Sequence, residues 1–295
     1  MGGLPAVAAD IDALRQVNRS GFPFQLKVEH DVRATENMHH WSVASREHAW
    51  DDLAGNSGFI DLVLKHKEFS TFRLITECKR VKGDDARQLQ WLFLVEHAKS
   101  DFMFRSSAFE VEADLGARLW DDVQLTPASL ESQFCVLHGD EPRRPLLESL
   151  AKGLLDATEG LAQEEINIEQ SIRATEERER PLHVRLFLFP LIVTNAKIAV
   201  CRFEPSRVDL TRGVLEQRDA EIFEVPMIRF RKSLATKFPE GVFFHLEAAN
   251  KARERTVLVV NADHLTDILQ NWQVERLPGR NYAIESLLQA RQPRK

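Results

Sequence analysis

Apolar positions recur at helical spacing near the start of the chain, where Val7, Ile11, Leu14 and Val17 fall on one face and Ser20-Gly21 interrupts the pattern. A first helix is predicted there. From Phe22 to Val32 the pattern shifts to alternation, with Phe24, Leu26 and Val28 on one side, and predicts a half-buried strand. Arg33 to Ser57 is polar, rich in His and punctuated by Trp, and has no clear period. It reads as a long loop with room for a short helix, and loops of such length often carry function. Two apolar runs follow, Gly58 to Leu64 and Thr71 to Lys79, joined by the polar stretch Lys65 to Ser70 in the manner of a hairpin. Ala86 to Ala98, with Leu89, Leu92, Phe93 and Val95, predicts a helix, and Phe109 to Val111 opens another short strand.

Between Pro145 and Arg180 leucines recur (Leu146, Leu147, Leu150, Leu154) before the segment becomes strongly charged, which predicts one long or two shorter helices closed by Pro181. The chain then turns strand-rich, with Val184 to Val193, Ala196 to Phe203, Ile222 to Phe230 and Thr256 to Val260, and Val193-Thr-Asn-Ala196 reads as a turn. A last helix is expected over Asp263 to Trp272, with Asp263 as its N-cap. This divides the chain into 1–144, a helical connection over 145–181, and a strand-rich α+β extension over 182–295. The sequence shows no internal repeat, low-complexity segment or glycine-rich phosphate loop.

The apolar share of 43% and charged share of 28% belong to an ordinary globular protein and exclude a disordered or fibrous chain. No apolar run is long enough to span a bilayer, and the first residues lack the features of a signal peptide. Cys78, Cys135 and Cys201 are isolated, so neither a disulfide framework nor a cysteine zinc site is expected, and a reducing, cytoplasmic setting fits. The net charge of -6 weighs against nucleic-acid binding, but charge is unevenly spread. Basic residues outnumber acidic ones from Lys65 to Arg105, and Lys65, Lys82 and Arg87 are the expected contacts to a phosphate backbone.

The candidate chemistry lies on the predicted hairpin. Asp61 sits within an apolar strand, a costly place for a carboxylate unless it is paired, hydrogen-bonded or bound to metal. Glu77 and Lys79 are two residues apart, so strand geometry points both to one face. Phosphodiester hydrolysis needs an acidic cage for a divalent cation, an activated water and a positive group near the phosphate. Asp61, Glu77 and the backbone carbonyl of Cys78 would supply oxygen ligands for Mg²⁺ or Mn²⁺, and Lys79 would act on the water.

The strings Gly58-Phe-Ile-Asp61 and Ile75-Thr-Glu77-Cys-Lys79-Arg80 resemble the paired motifs of the PD-(D/E)xK nuclease superfamily, over roughly residues 8 to 113. The resemblance implies an α/β fold with a restriction-endonuclease-like αβββαβ core and a mixed sheet, followed here by the α+β extension. It implies that Asp61 and Glu77 bind metal, that Lys79 assists the water, and that Gln88 or Gln90, on the helix after the hairpin, stands near the site. Arg80 and Glu29 are further accessory candidates, and Glu47 or Asp52 could equally supply a third carboxylate. The implied function is a metal-dependent nuclease acting on DNA in defence or repair, as a homodimer where both strands are cut.

Other readings of the same residues stand beside this one. Asp61 and Glu77 could be surface strand residues paired with Lys79 and Arg80, an interaction of about 0.2–1 kcal/mol. His39, His40, His48 and His66 read as surface or loop residues rather than metal ligands, and Trp41, Trp50, Trp91 and Trp120 as packing rather than base-stacking platforms. Alternation sends the Cys78 thiol to the face opposite Glu77, away from any catalytic role. A catalytically silent nucleic-acid-binding or sensor protein on the same scaffold is the alternative function.

Overall fold

Gly21, at φ 88°, separates two helices, α1 (Ile11–Ser20) and α2 (Phe22–Ala34), in the computed structural model. It describes residues 11–51, 55–69, 71–81, 90–99, 101–112, 117–137, 146–175, 185–234 and 245–276. The strand expected over Phe22 to Val32 is therefore a helix. Its buried residues are Gln25, Val28, Glu29 and Val32, spaced as one helical face, whereas Leu26 of the apparent alternation is exposed. Pro23 occupies the first turn, where its missing N–H costs nothing.

The loop expected over Arg33 to Ser57 contains a strand, β1 (Trp41–Asp51), paired antiparallel with β2 (Ser57–His66). β1 lies at the end of its sheet, so its outer positions tolerate polar residues. A register shift between Val43 and Ser45, and a left-handed Glu47 at φ 49°, break the alternation that would have revealed it. The hairpin itself is as expected, with β2 antiparallel to β3 (Phe72–Lys79).

Where a helix was expected over Ala86 to Ala98, Gln90–Glu96 forms strand β4, with Trp91, Phe93 and Val95 buried in strict alternation; 82–89 lie outside the described residues. A short apolar run fits either period, and its aromatic and β-branched content decides for strand. Strands β5 (Met103–Glu112), β6 (Ala117–Ser129), β7 (Glu131–Ser132) and β8 (Phe134–Leu137) follow, then a 30-residue helix α3 (Leu146–Thr175). The strand expected over Ile222 to Phe230 splits at Pro226 into β11 (Ala220–Val225) and β12 (Met227–Ser233). Beyond β9 (Arg185–Thr194) and β10 (Lys197–Phe203), the described chain ends with α4 (Leu246–Ala252), β13 (Glu254–Asn261), α5 (Leu265–Gln270) and β14 (Gln273–Arg276). The cap before α5 is Asn261, whose side chain accepts from the Asp263 N–H, and not Asp263.

Among the described residues the strands form two sheets, a mixed one of ten strands and one of four. The larger runs β1-β2-β3-β9-β13-β12-β7, with β9 parallel to both β3 and β13, and β5 pairs with the first part of β9. The smaller runs β11-β10-β4-β8. Both therefore draw strands from 1–144 and from 182–295, and the turn after Thr194 passes the chain from one sheet to the other.

One face of the larger sheet is covered by α3 and the smaller sheet, through Leu147, Ala151, Leu154, Leu161 and Ile166 against Ile75, Ile192, Phe93 and Val200. The other face is covered by α2, α5 and Trp272 just after it, through Val28, Val32, Leu265, Ile268 and Trp272 against Leu62, Leu64, Leu74 and Val193. Fully burying each such side chain contributes about 1.5–3 kcal/mol. Arg229 of β12 is fully buried and donates to the hydroxyls of Ser106 and Ser129 and to the carbonyls of Leu125 and Pro127, tying β12 to β5 and β6. No described helix is long and apolar enough to cross a membrane.

Candidate active site

The β2–β3 ladder pairs Lys65 with Arg73, Leu64 with Leu74, Val63 with Ile75 and Leu62 with Thr76. One further step of that register sets Asp61 opposite Glu77. There the strands stop exchanging ladder bonds, and Asp61 Oδ2 instead accepts the Cys78 backbone N–H at 2.7 Å. In an extended strand a residue's N–H and C=O point to the same side, so the Cys78 carbonyl is turned toward the Asp61 side of β3. Cys78 itself packs with Leu62, Leu64 and Leu74, whereas Ile75 belongs to the opposite core under α3. Alternation along β3 thus puts Glu77 and Lys79 together on the α3 side.

Burial and mutual repulsion couple the carboxyl groups. Burial pushes the Asp61 carboxyl up to about 6; the Cys78 N–H and Lys79 oppose the shift and Glu47 adds to it. Burial also drives Glu77 to about 7, reinforced by Asp61 and Glu47 and opposed by Lys79. Two carboxylates held this way share too little compensation for both to ionise freely near neutrality. The Cys78 thiol is raised well above its ordinary value by burial and by the adjacent carboxylates, which keeps it un-ionised and inert.

Surrounding contacts fix the frame. Asn195, in the turn between β9 and β10, accepts from Val81 N–H at 2.6 Å and donates to the Val81 carbonyl at 3.2 Å, clamping the chain just beyond Lys79. Asn261 holds the same turn through the Ala196 carbonyl at 2.8 Å. Arg80 donates to the Asn18 carbonyl at the end of α1, so its guanidinium serves as a brace. Gln25 of α2 is buried and its Nε2 donates to Glu47 Oε1 at 2.5 Å and to the Asp61 carbonyl at 3.2 Å.

The other expected residues are dispersed. Glu29 is engaged by Arg33 at 3.0 Å and Arg46 at 3.1 Å. Gln90 begins β4 beside Lys197 in the smaller sheet, not on a helix after the hairpin. Lys65 is four residues along β2 from Asp61, roughly 13 Å away at strand rise. Gln88, Lys82, Arg87 and Asp52 lie outside the described residues. Among the described residues, no group of three or more His, Cys, Asp or Glu is drawn together as a ready metal cage.

Of the histidines expected on the surface or in loops, His39 and His40 lie in the bend between α2 and β1, whereas His48 and His66 are strand residues. His39 and His66 are buried; His66 Nδ1 accepts the backbone N–H of Phe69 at 3.0 Å and of Glu68 at 3.3 Å. His48 bonds to Glu164 of α3 at 2.8 Å. Trp41 and Trp91 are fully buried and Trp50 packs over Gly160 of α3, so these three are packing residues.

No protein-family model matches the chain, and no curated protein or solved structure matches it either. The functional reading therefore stands on the site's own chemistry.

Proposed function

We propose that the chain is a metal-dependent nuclease hydrolysing phosphodiester bonds in DNA, with Asp61, Glu77 and Lys79 as its working residues. The observation that carries this reading is the facing pair Asp61 and Glu77, both raised by burial and held at the point where β2 and β3 part. A purely structural carboxylate pair in that place is unfavourable, and a divalent cation would relieve it. The element order lends support. On this reading α2, β1, β2, β3, α3 and β9, with β9 parallel to β3, would stand for the αβββαβ elements of a restriction-endonuclease-like core. α3 would then take the place expected of Ala86 to Ala98, with strands β4 to β8 inserted before it.

The donor set fits Mg²⁺ or Mn²⁺, because the two carboxylates and the Cys78 carbonyl are hard oxygen ligands with no soft donor aimed among them. The bound cation would supply Lewis-acid stabilisation of the phosphate oxygens. Lys79, on the face of Glu77, orients the attacking water and offsets the charge that develops on the phosphate. Water adds to phosphorus, the bond to the leaving oxygen breaks, and a phosphate monoester and an alcohol result. Strands beyond Pro181 then serve to build the scaffold as well as to contact substrate. A homodimer is the assembly expected for double-strand cleavage, and defence or repair the expected setting.

The test is cleavage of single- and double-stranded DNA and RNA by the purified chain with Mg²⁺ or Mn²⁺. DNA cleavage is expected for the wild type, with Lys79→Ala slower by roughly 100-fold or more. If no nucleic acid is cut, or if Lys79→Ala cuts like the wild type, the silent binding or sensor reading replaces this one.

A further inference from the structure

Helix α1 is amphipathic in sequence, yet all ten of its residues are exposed. Ile11, Leu14 and Val17 share one side of it and are 66%, 51% and 52% exposed. A helix this short is marginal in water unless an apolar face is covered. Its own chain ties α1 down at the C-terminal end, where Arg80 donates to the Asn18 carbonyl and Ser20 Oγ accepts the Phe22 N–H at 3.2 Å. That leaves the stripe bare. Phe22 and Leu26, one turn apart on α2, are exposed as well and add apolar surface next in the chain.

The charges beside the stripe identify what covers it. Helical geometry gathers Asp12, Arg15 and Arg19 on the flank next to Ile11, and Asp12 bonds Arg15 at 3.0 Å within the helix. An antiparallel pairing about a two-fold axis at Leu14 sets Leu14 on its own copy and Ile11 against the partner's Val17. The same axis brings like flanks together with their direction reversed. Asp12 then falls between the partner's Arg15 and the partner's Arg19, within about 5 Å of each along the helix axis at a rise of about 1.5 Å per residue. A parallel pairing would instead set arginine beside arginine. The stripe is thus self-complementary in shape and in charge in one orientation, as an isologous contact requires.

We propose that α1 is a self-association surface, pairing antiparallel with α1 of a second copy of the chain through Ile11, Leu14 and Val17. The inference stands on the helix alone and holds with or without nuclease activity. The apolar stripe falls short of the roughly 800 Å² per partner of a standard interface, so the dimer forms and dissociates with concentration. Because Arg80 follows Lys79 directly and holds α1, the pairing joins two copies through the element braced to the end of β3.

Sedimentation equilibrium of the whole chain, from low micromolar to several hundred micromolar, tests it, with thermal melts confirming that each variant is folded. Wild type is expected to pass from monomer to dimer, and Leu14→Glu, which sets two like charges face to face at the axis, to stay monomeric. Asp12→Arg, and the double variant Arg15→Glu with Arg19→Glu, are each expected to self-associate about tenfold or more weakly. Mixed in equal amounts, these two restore opposite charges at both contacts and are expected to pair as wild type does. A wild type that stays monomeric throughout, a Leu14→Glu protein that dimerises like wild type, or a mixture that gains nothing over its components would overturn the proposal.

Discussion

At the scale of single residues, the carboxylates of the site oppose folding. Asp61 and Glu77 have folded-state values of about 6 and about 7, above those of free carboxylates. A group raised on folding contributes stability that is complete below its unfolded value and lost as pH rises through the folded one. The loss here falls between about pH 4 and pH 7. Glu77→Gln, which removes the charge and keeps the shape, is expected to be more stable than wild type by about 2 kcal/mol near pH 8, with the gain vanishing near pH 4. Urea unfolding at the two pH values measures it, and equal stability at both would contradict the electrostatics described above. His66 works in the opposite direction. Burial, with His40 stacked on it, lowers its value from 6.5 to about 4, against the weaker pull of Glu68, and Trp41, Phe69 and Phe72 enclose the ring. The unfolded chain gains a proton here before the folded one does, so stability is full above about pH 6.5 and falls toward pH 4, by up to about 3 kcal/mol. The acid-side decline is expected to be shallower in His66→Asn, and an identical decline would remove His66 from the explanation.

At the scale of elements, close approach between α3 and β1 positions the site's outer wall. A Cβ on Gly160 would lie 2.6 Å from the Trp50 ring and 3.0 Å from the Asp51 carbonyl, so the helix meets the edge strand only because this residue has no side chain. Gly160→Ala is expected to lower stability by about 1–3 kcal/mol despite the higher helix propensity of alanine, a sign that thermal unfolding reads directly. The elements also show which signals in the sequence are legible. The β2–β3 hairpin is readable because its apolar runs are long and both of its faces are buried. α3 is readable because Leu147, Ala151, Leu154 and Leu161 keep helical spacing. β1 is not, since an edge position, a register shift and the left-handed Glu47 each erase alternation. α2 is not, since Phe24, Leu26 and Val28 mimic a strand while buried Gln25 and Glu29 supply half of its inner face. That single misreading hides Gln25, whose role depends on its being on a helix.

At the scale of the whole molecule, the feature least visible in the sequence is that strands distant along the chain interleave. β9 follows Pro181 yet lies against β3, and β10 lies against β4, because parallel pairing needs long crossovers that leave no local mark. The spacing of Asp61, Glu77 and Lys79 is legible in the sequence, and so is the face opposite Cys78, because period-2 geometry alone determines both. The nearness of Glu47 to Asp61 is not, for it depends on register. The net charge of -6 makes binding to DNA sensitive to where the basic residues lie, and a steep loss of affinity with salt is expected of any phosphate contacts. The most direct measurement is DNA cleavage by the wild type and by Asp61→Asn over a titration of Mg²⁺. The expected result is Mg²⁺-dependent cleavage by wild type and none by a folded Asp61→Asn protein; equal cleavage by the two, or cleavage that does not respond to Mg²⁺, would contradict a metal-dependent site at the parting of β2 and β3.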